Sequence, residues 1–136
     1  MGGRGASSGV SYKNKPYGSE YTTLYKSGNI KFVKTNNRGS ATAPMETMTK
    51  GRVYVTINEK NEPKYINYYD KNNMRYKQID LSGNSHYIRK TGEILKPPHT
   101  HKGYLHDEKG TYHLSPKEQK MVDRVLKTWY NINNKQ

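Results

Sequence analysis

All five histidines of this 136-residue chain lie between His86 and His113, and His99, His101 and His106 sit in the single segment Pro97 to Glu108. Imidazole is the side chain whose ordinary pKa lies near neutrality, so one ring can accept and another donate a proton in the same turnover; it is also the commonest metal ligand. Pro97-Pro98 disfavours helix, so His99-Thr100-His101 reads as extended. Both rings then point to one face, roughly 6 to 7 Å apart along the strand. A phosphodiester fits between two such rings. One histidine would take the proton of an attacking 2′-hydroxyl while the other protonates the departing 5′-oxygen, without a metal.

Such chemistry needs cations for the non-bridging oxygens. Arg75 and Lys77 stand two apart on a predicted strand and are expected to share a face, with Lys64 on the neighbouring strand. Tyr104 and His106 are the candidates for holding a base, and Thr100 and Lys102 complete the expected substrate contacts. The same segment supports a metal reading, with His99 and His101 as ligands and His106, Asp107 or Glu108 completing the set. The plainer alternatives are a surface histidine loop, a solvated strand face for Arg75 and Lys77, and core packing for Tyr104. Zero cysteine excludes disulfides, thiolate metal sites and a cysteine nucleophile. Ser82 and Ser85 lack any paired base, and Ser115 is accounted for as a helix cap.

The elements that must carry these residues are legible in the pattern. Residues 1–19 are rich in glycine and serine without apolar periodicity and read as a flexible tether, which leaves 20–136 as one domain. Tyr21, Leu24 and Tyr25 have helical spacing over a short stretch, Ser27-Gly28-Asn29 stops it, and Ile30 to Lys34 is extended. From Gly51 the period becomes two. Val53, Val55 and Ile57 share one face and Tyr54 and Thr56 the other, followed by strands at 64–69 and 74–81 with turns at Glu59–Glu62 and Asp70–Asn73, an antiparallel meander. A short strand is expected at Tyr87-Ile88-Arg89. Ser115-Pro116-Lys117-Glu118 combines a capping serine, a first-turn proline and a glutamate three residues on, and so opens a helix with Met121, Val122, Val125 and Trp129 on one face. The expected class is α+β: a meander of about four strands packed against a C-terminal helix.

With 24 Lys and Arg against 11 Asp and Glu, the formal net charge is +13, spread along the whole chain. A phosphate backbone is the natural partner, because neutralising it releases condensed counterions. There is no long apolar run, basic amphipathic helix or signal-like segment, so no membrane partner is expected.

Tyr68 to Asn73, Arg75 to Leu81 and His99-Thr100-His101-Lys102-Gly103-Tyr104 together resemble the C-terminal domains of phage minor head (head-morphogenesis) proteins of low-GC Gram-positive bacteria. Some of these domains are similar to the barnase/EndoU/colicin/RelE-like (BECR) nuclease superfamily. The resemblance spans most of the chain, although the superfamily has no strict signature. It implies a BECR-like, metal-independent ribonuclease without a cofactor, carried in the virion and acting in the bacterial host cytoplasm. Its partners would be RNA ahead of DNA, phage head and portal proteins, and an inhibitory immunity protein. The resemblance places His99 and His101, and with less support Arg75, Lys77 and Asp80, in matching blocks. A non-catalytic virion protein that binds or escorts phage DNA is the rival function, and a His/carboxylate metal-binding domain is a further one.

Overall fold

The computed structural model describes residues 21–35, 44–47, 49–82, 86–88 (backbone only), 91–104 and 109–134. The expected tether lies outside them. Among the described residues nine strands and one helix follow in chain order: β1 (Tyr21–Ser27), β2 (Ile30–Thr35), β3 (Val53–Ile57), β4 (Pro63–Tyr69), β5 (Arg75–Asp80), β6 (His86–Ile88), β7 (Glu93–Leu95), β8 (His99–Lys102), β9 (Thr111–Tyr112) and α1 (Pro116–Asn134). Seven of the strands form one sheet in the order β1-β2-β3-β4-β5-β8-β9, while β6 and β7 make a separate hairpin. The class is α+β, a mostly antiparallel sheet with one C-terminal helix. The expected meander is present as β3, β4 and β5, and the sheet extends it on both sides.

The first element differs from the sequence reading. Residues 21–27 form a strand instead of a short helix, because Ser27 and Ile30 face each other across a tight turn in which Gly28 takes φ +60, and β1 then zips onto β2. Threonines and tyrosines in that stretch suit the pleated surface better than the isolated Tyr21/Leu24/Tyr25 spacing suits a helix. The single parallel pairing among the described residues, β2 with β3, requires a crossover through residues 36–52. Its described part lies against the β4–β5 turn, where Thr47 N–H donates to the Asn73 carbonyl and Arg75 N–H to the Met45 carbonyl.

Both faces of the sheet centre are covered. On one face Ile30, Phe32, Val53, Val55, Ile57, Ile66 and Ile79 pack against Val122, Val125 and Trp129 of α1. The Trp129 ring stacks on Phe32 at 5.2 Å, and its Nε1–H donates to the Asn61 carbonyl at 2.9 Å. The predicted cap is present: Glu118 N–H donates to Ser115 Oγ at 3.2 Å, and Ser115 N–H donates to Glu118 Oε1 at 2.8 Å. The other face is buried but polar. Gln78 Nε2 donates to Asn67 Oδ1 at 2.8 Å, and Asn67 Nδ2 to the Tyr54 carbonyl at 3.0 Å, which satisfies these amides without water. At one end of this face Tyr54 and Tyr69 meet edge to face. At the other end stand the histidines.

Candidate functional site

β5 and β8 pair antiparallel with Asp80 opposite His99, Ile79 opposite Thr100, Gln78 opposite His101 and Lys77 opposite Lys102. Residues opposite one another share a face, and neighbours along a strand alternate. Ile79 therefore joins the apolar core under α1, and Thr100 donates from Oγ1 to Glu118 Oε1 at 2.9 Å. Asp80, His99 and His101 emerge together on the polar side. The two imidazoles share one face as the extended reading of His-Thr-His requires, with ring centroids 4.7 Å apart and planes at 81°.

Both Nε2 atoms turn toward one carboxylate oxygen. His99 Nε2 lies 3.7 Å and His101 Nε2 3.9 Å from Asp80 Oδ2. Each ring is set by its other nitrogen: His99 Nδ1 is 3.1 Å from the Leu95 carbonyl, just after β7, and His101 Nδ1 is 3.0 Å from the Thr111 hydroxyl on β9. The remaining oxygen of Asp80 is occupied separately. Ser82 N–H donates to Oδ1 at 3.3 Å, and Lys64 Nζ lies 3.5 Å from it while also donating to the Ser82 carbonyl. Relative exposure is only 1% for His99, 4% for His101 and 8% for Asp80, so the cluster is almost sealed from solvent. One ligand atom from each residue can be chosen so that all three lie within 4.8 Å of one another.

A cavity of about 540 Å³ lies beside the cluster, lined by Glu93, Leu95, Lys109, Thr111, Tyr112 and His113 among others. Two of its walls, Leu95 and Thr111, are the residues that orient the imidazoles. His113 Nε2 meets Glu93 Oε2 at 2.7 Å on the exposed side.

The expected cations divide between the faces. Lys77 does not join the histidines. It points under α1, where its Nζ lies 2.9 Å from Glu118 Oε2 and 4.4 Å from the centre of the Tyr68 ring. A β-bulge explains why Arg75 does not accompany it: the register skips between Tyr68 opposite Lys77 and Tyr69 opposite Arg75, which returns Arg75 to the face of Tyr69 and Tyr54. There Arg75 Nη2 donates to the Tyr104 carbonyl at 3.1 Å. Thr100 is likewise on the helix side, and Lys102 Nζ sits 4.4 Å over the Tyr112 ring. Lys64 does reach the cluster, through Asp80. His106, Asp107 and Glu108 lie outside the described residues.

Electrostatics follow this division. Burial pushes Glu118 up, but the hydrogen bonds from Lys77, the Ser115 N–H and Thr100 outweigh it and hold the carboxyl below its ordinary range. Burial raises the Tyr65 hydroxyl and the Asp80 charge raises it further, with Arg75 opposing, so Tyr65 lies in the field of both groups. Sequence reasoning passed over Tyr65 and Thr111, and reached Asp80 only through a resemblance. The signal for Asp80 was its parity with Gln78 at the end of a strand; for Thr111, a two-residue strand, there was none.

The chain was compared with protein-family models, with curated proteins and with solved structures, and none of the three gave a match.

Proposed function

We propose that this protein is a phosphodiesterase acting on RNA, with His99, His101 and Asp80 as its reacting centre. The observation that carries the reading is the convergence of two imidazoles and a carboxylate at one end of a buried polar sheet face, in a chain of net charge +13. Buried titratable groups that converge on one point are candidates for acid–base or ligand chemistry. On the same reading the fold is BECR-like, and the chain is a minor head protein domain of a phage virion that works with head and portal proteins and reaches RNA in the host.

The geometry changes the division of labour expected from the sequence. An acid and a base on opposite sides of one phosphorus must each come within about 2.6 to 3.2 Å of a different oxygen. Two Nε2 atoms that both face Asp80 Oδ2 serve one side. The cluster therefore activates the attacking oxygen. That oxygen gives up its proton to the cluster and bonds to phosphorus as the bond to the leaving oxygen breaks, and the leaving oxygen takes a proton from solvent. Lys64, tied to Asp80, and Arg75, farther along the same face, are the nearest candidates to balance the anion.

The test is cleavage of end-labelled single-stranded RNA by the wild-type chain, by Asp80→Asn and by His101→Gln. Loss of product in both variants, with RNA binding retained, supports the reading. Salt-sensitive binding to RNA and DNA alike with no product from the wild type overturns it in favour of the DNA-escort function, which the net charge of +13 favours.

A further inference from the structure

We propose that Asp80 Oδ2, His99 Nε2 and His101 Nε2 form a binding site for one divalent first-row transition-metal ion. The Leu95 carbonyl can only accept, so His99 Nδ1 carries the hydrogen in their 3.1 Å contact. In the neutral ring, Nε2 then presents a lone pair toward a carboxylate oxygen 3.7 Å away. A cation placed between such a pair would be stabilised by both atoms.

The separations are too long for a direct hydrogen bond to Asp80 and suit ligands of a common ion. A proton shared between imidazolium and carboxylate draws nitrogen and oxygen to about 2.7 to 2.9 Å, whereas the two separations here are 3.7 and 3.9 Å. Ligands each about 2.1 Å from a common ion stand roughly 3.0 Å apart at an octahedral angle and 3.4 Å at a tetrahedral one. These two separations are within about half an ångström of the second figure and about an ångström beyond hydrogen bonding, and all three ligand atoms lie within 4.8 Å of one another.

The surroundings match those of metal ligands. Ligating histidines characteristically bond through their other nitrogen to a carbonyl or carboxylate, which fixes the ring and its tautomer. His99 does so on Leu95, and His101 is held by the Thr111 hydroxyl. Asp80 Oδ1 is engaged by Ser82 N–H and neighboured by Lys64, which directs Oδ2 into the cluster. Two imidazoles and one carboxylate, with no thiolate in the chain, suit Zn²⁺, Fe²⁺ or Mn²⁺ and leave at least one position for water or a substrate oxygen. The site stands on this geometry alone. Only the ion's role, activating the attacking oxygen, rests on the phosphodiesterase reading.

The experiment is calorimetric titration of the EDTA-stripped full chain with ZnCl₂, with Co²⁺ absorption as a second readout. One ion per chain is expected, with visible ligand-field bands for Co²⁺. Asp80→Asn and His101→Gln should each weaken binding more than about 100-fold, and His113→Gln, away from the cluster, should leave it unchanged. Circular dichroism of each variant establishes that it is folded, and the wild-type stoichiometry is decisive whether or not a variant folds. Absence of saturable binding by the wild type overturns the inference, as does binding that survives both substitutions in folded protein. Cleavage of RNA by metal-free protein in EDTA removes the ion's catalytic role while leaving the phosphodiesterase in place. A bound ion with no cleavage does the reverse.

Discussion

Lys77 Nζ lies 2.9 Å from Glu118 Oε2, joining the third strand of the meander to the first turn of the only helix among the described residues, on the far side of the sheet from the histidines. The same carboxylate closes the helix cap with Ser115 and accepts from Thr100. Its substitution by glutamine leaves the Lys77 ammonium partly buried without a counter-charge. Glu118→Gln is expected to lower stability by roughly 2 to 3 kcal/mol at neutral pH, measured by urea unfolding.

The pH dependence of that contribution has a definite sign. Glu118 titrates below its ordinary value of 4.5 in the folded chain, so its stabilisation is fully present above that value and is lost as pH falls through the lower folded one. Urea midpoints collected down the acid limb should converge for the wild type and Glu118→Gln. A gap that stays constant into strong acid contradicts the assignment.

Tyr68 gives the complementary case on the alkaline side. Burial, with the negative charges of Glu118 and Tyr76 adding to it, pushes its hydroxyl to about 12. The protonated form is the one the fold accommodates, so its contribution persists below the ordinary tyrosine value of 10.0 and disappears as pH rises toward 12. Ultraviolet absorbance titration should show a late phenolate component near pH 12 that Tyr68→Phe diminishes by one tyrosine.

Thr111 separates a ring's presence from its orientation. Thr111→Val keeps the volume and removes the hydroxyl 3.0 Å from His101 Nδ1. Outer-shell losses of this kind typically cost about 10- to 100-fold in affinity, and that is the expected weakening of Zn²⁺ binding in calorimetry. Unchanged thermal stability would locate the effect in the orientation of the imidazole.

Trp129, the single tryptophan, reports on docking of the helix. Trp129→Phe retains an aromatic ring over Phe32 but loses the Nε1–H bond to the Asn61 carbonyl. A cost of about 1 to 2 kcal/mol is expected from equilibrium unfolding followed by circular dichroism.

What the chain discloses before folding is what depends on near neighbours. Ser115, Pro116 and Glu118 announce the start of α1 because the capping box is contained in four residues, and strict alternation at Val53, Val55 and Ile57 announces β3. His99 and His101 share a face for the same reason. Asp80 becomes their companion only through cross-strand register, which their spacing does not encode. Lys77 and Arg75 part company at a bulge that exists only once β4 is paired. Tyr21 to Ser27 was open to a helical reading because its partner β2 supplies the evidence for a strand. The parallel contact of β2 with β3 joins segments separated by a long crossover, where local pattern is silent.

The pairing of Asp80 with His99 and of Ile79 with Thr100 makes the centre all-or-none. If β8 slid by a single residue along β5, every side chain on it would change sides: Thr100 would enter the cluster, and both imidazoles would be driven beneath the helix against isoleucine and valine. No slipped pairing of β5 with β8 could retain the Asp80–His99–His101 cluster, so assembly of the cluster and correct strand alignment are one event.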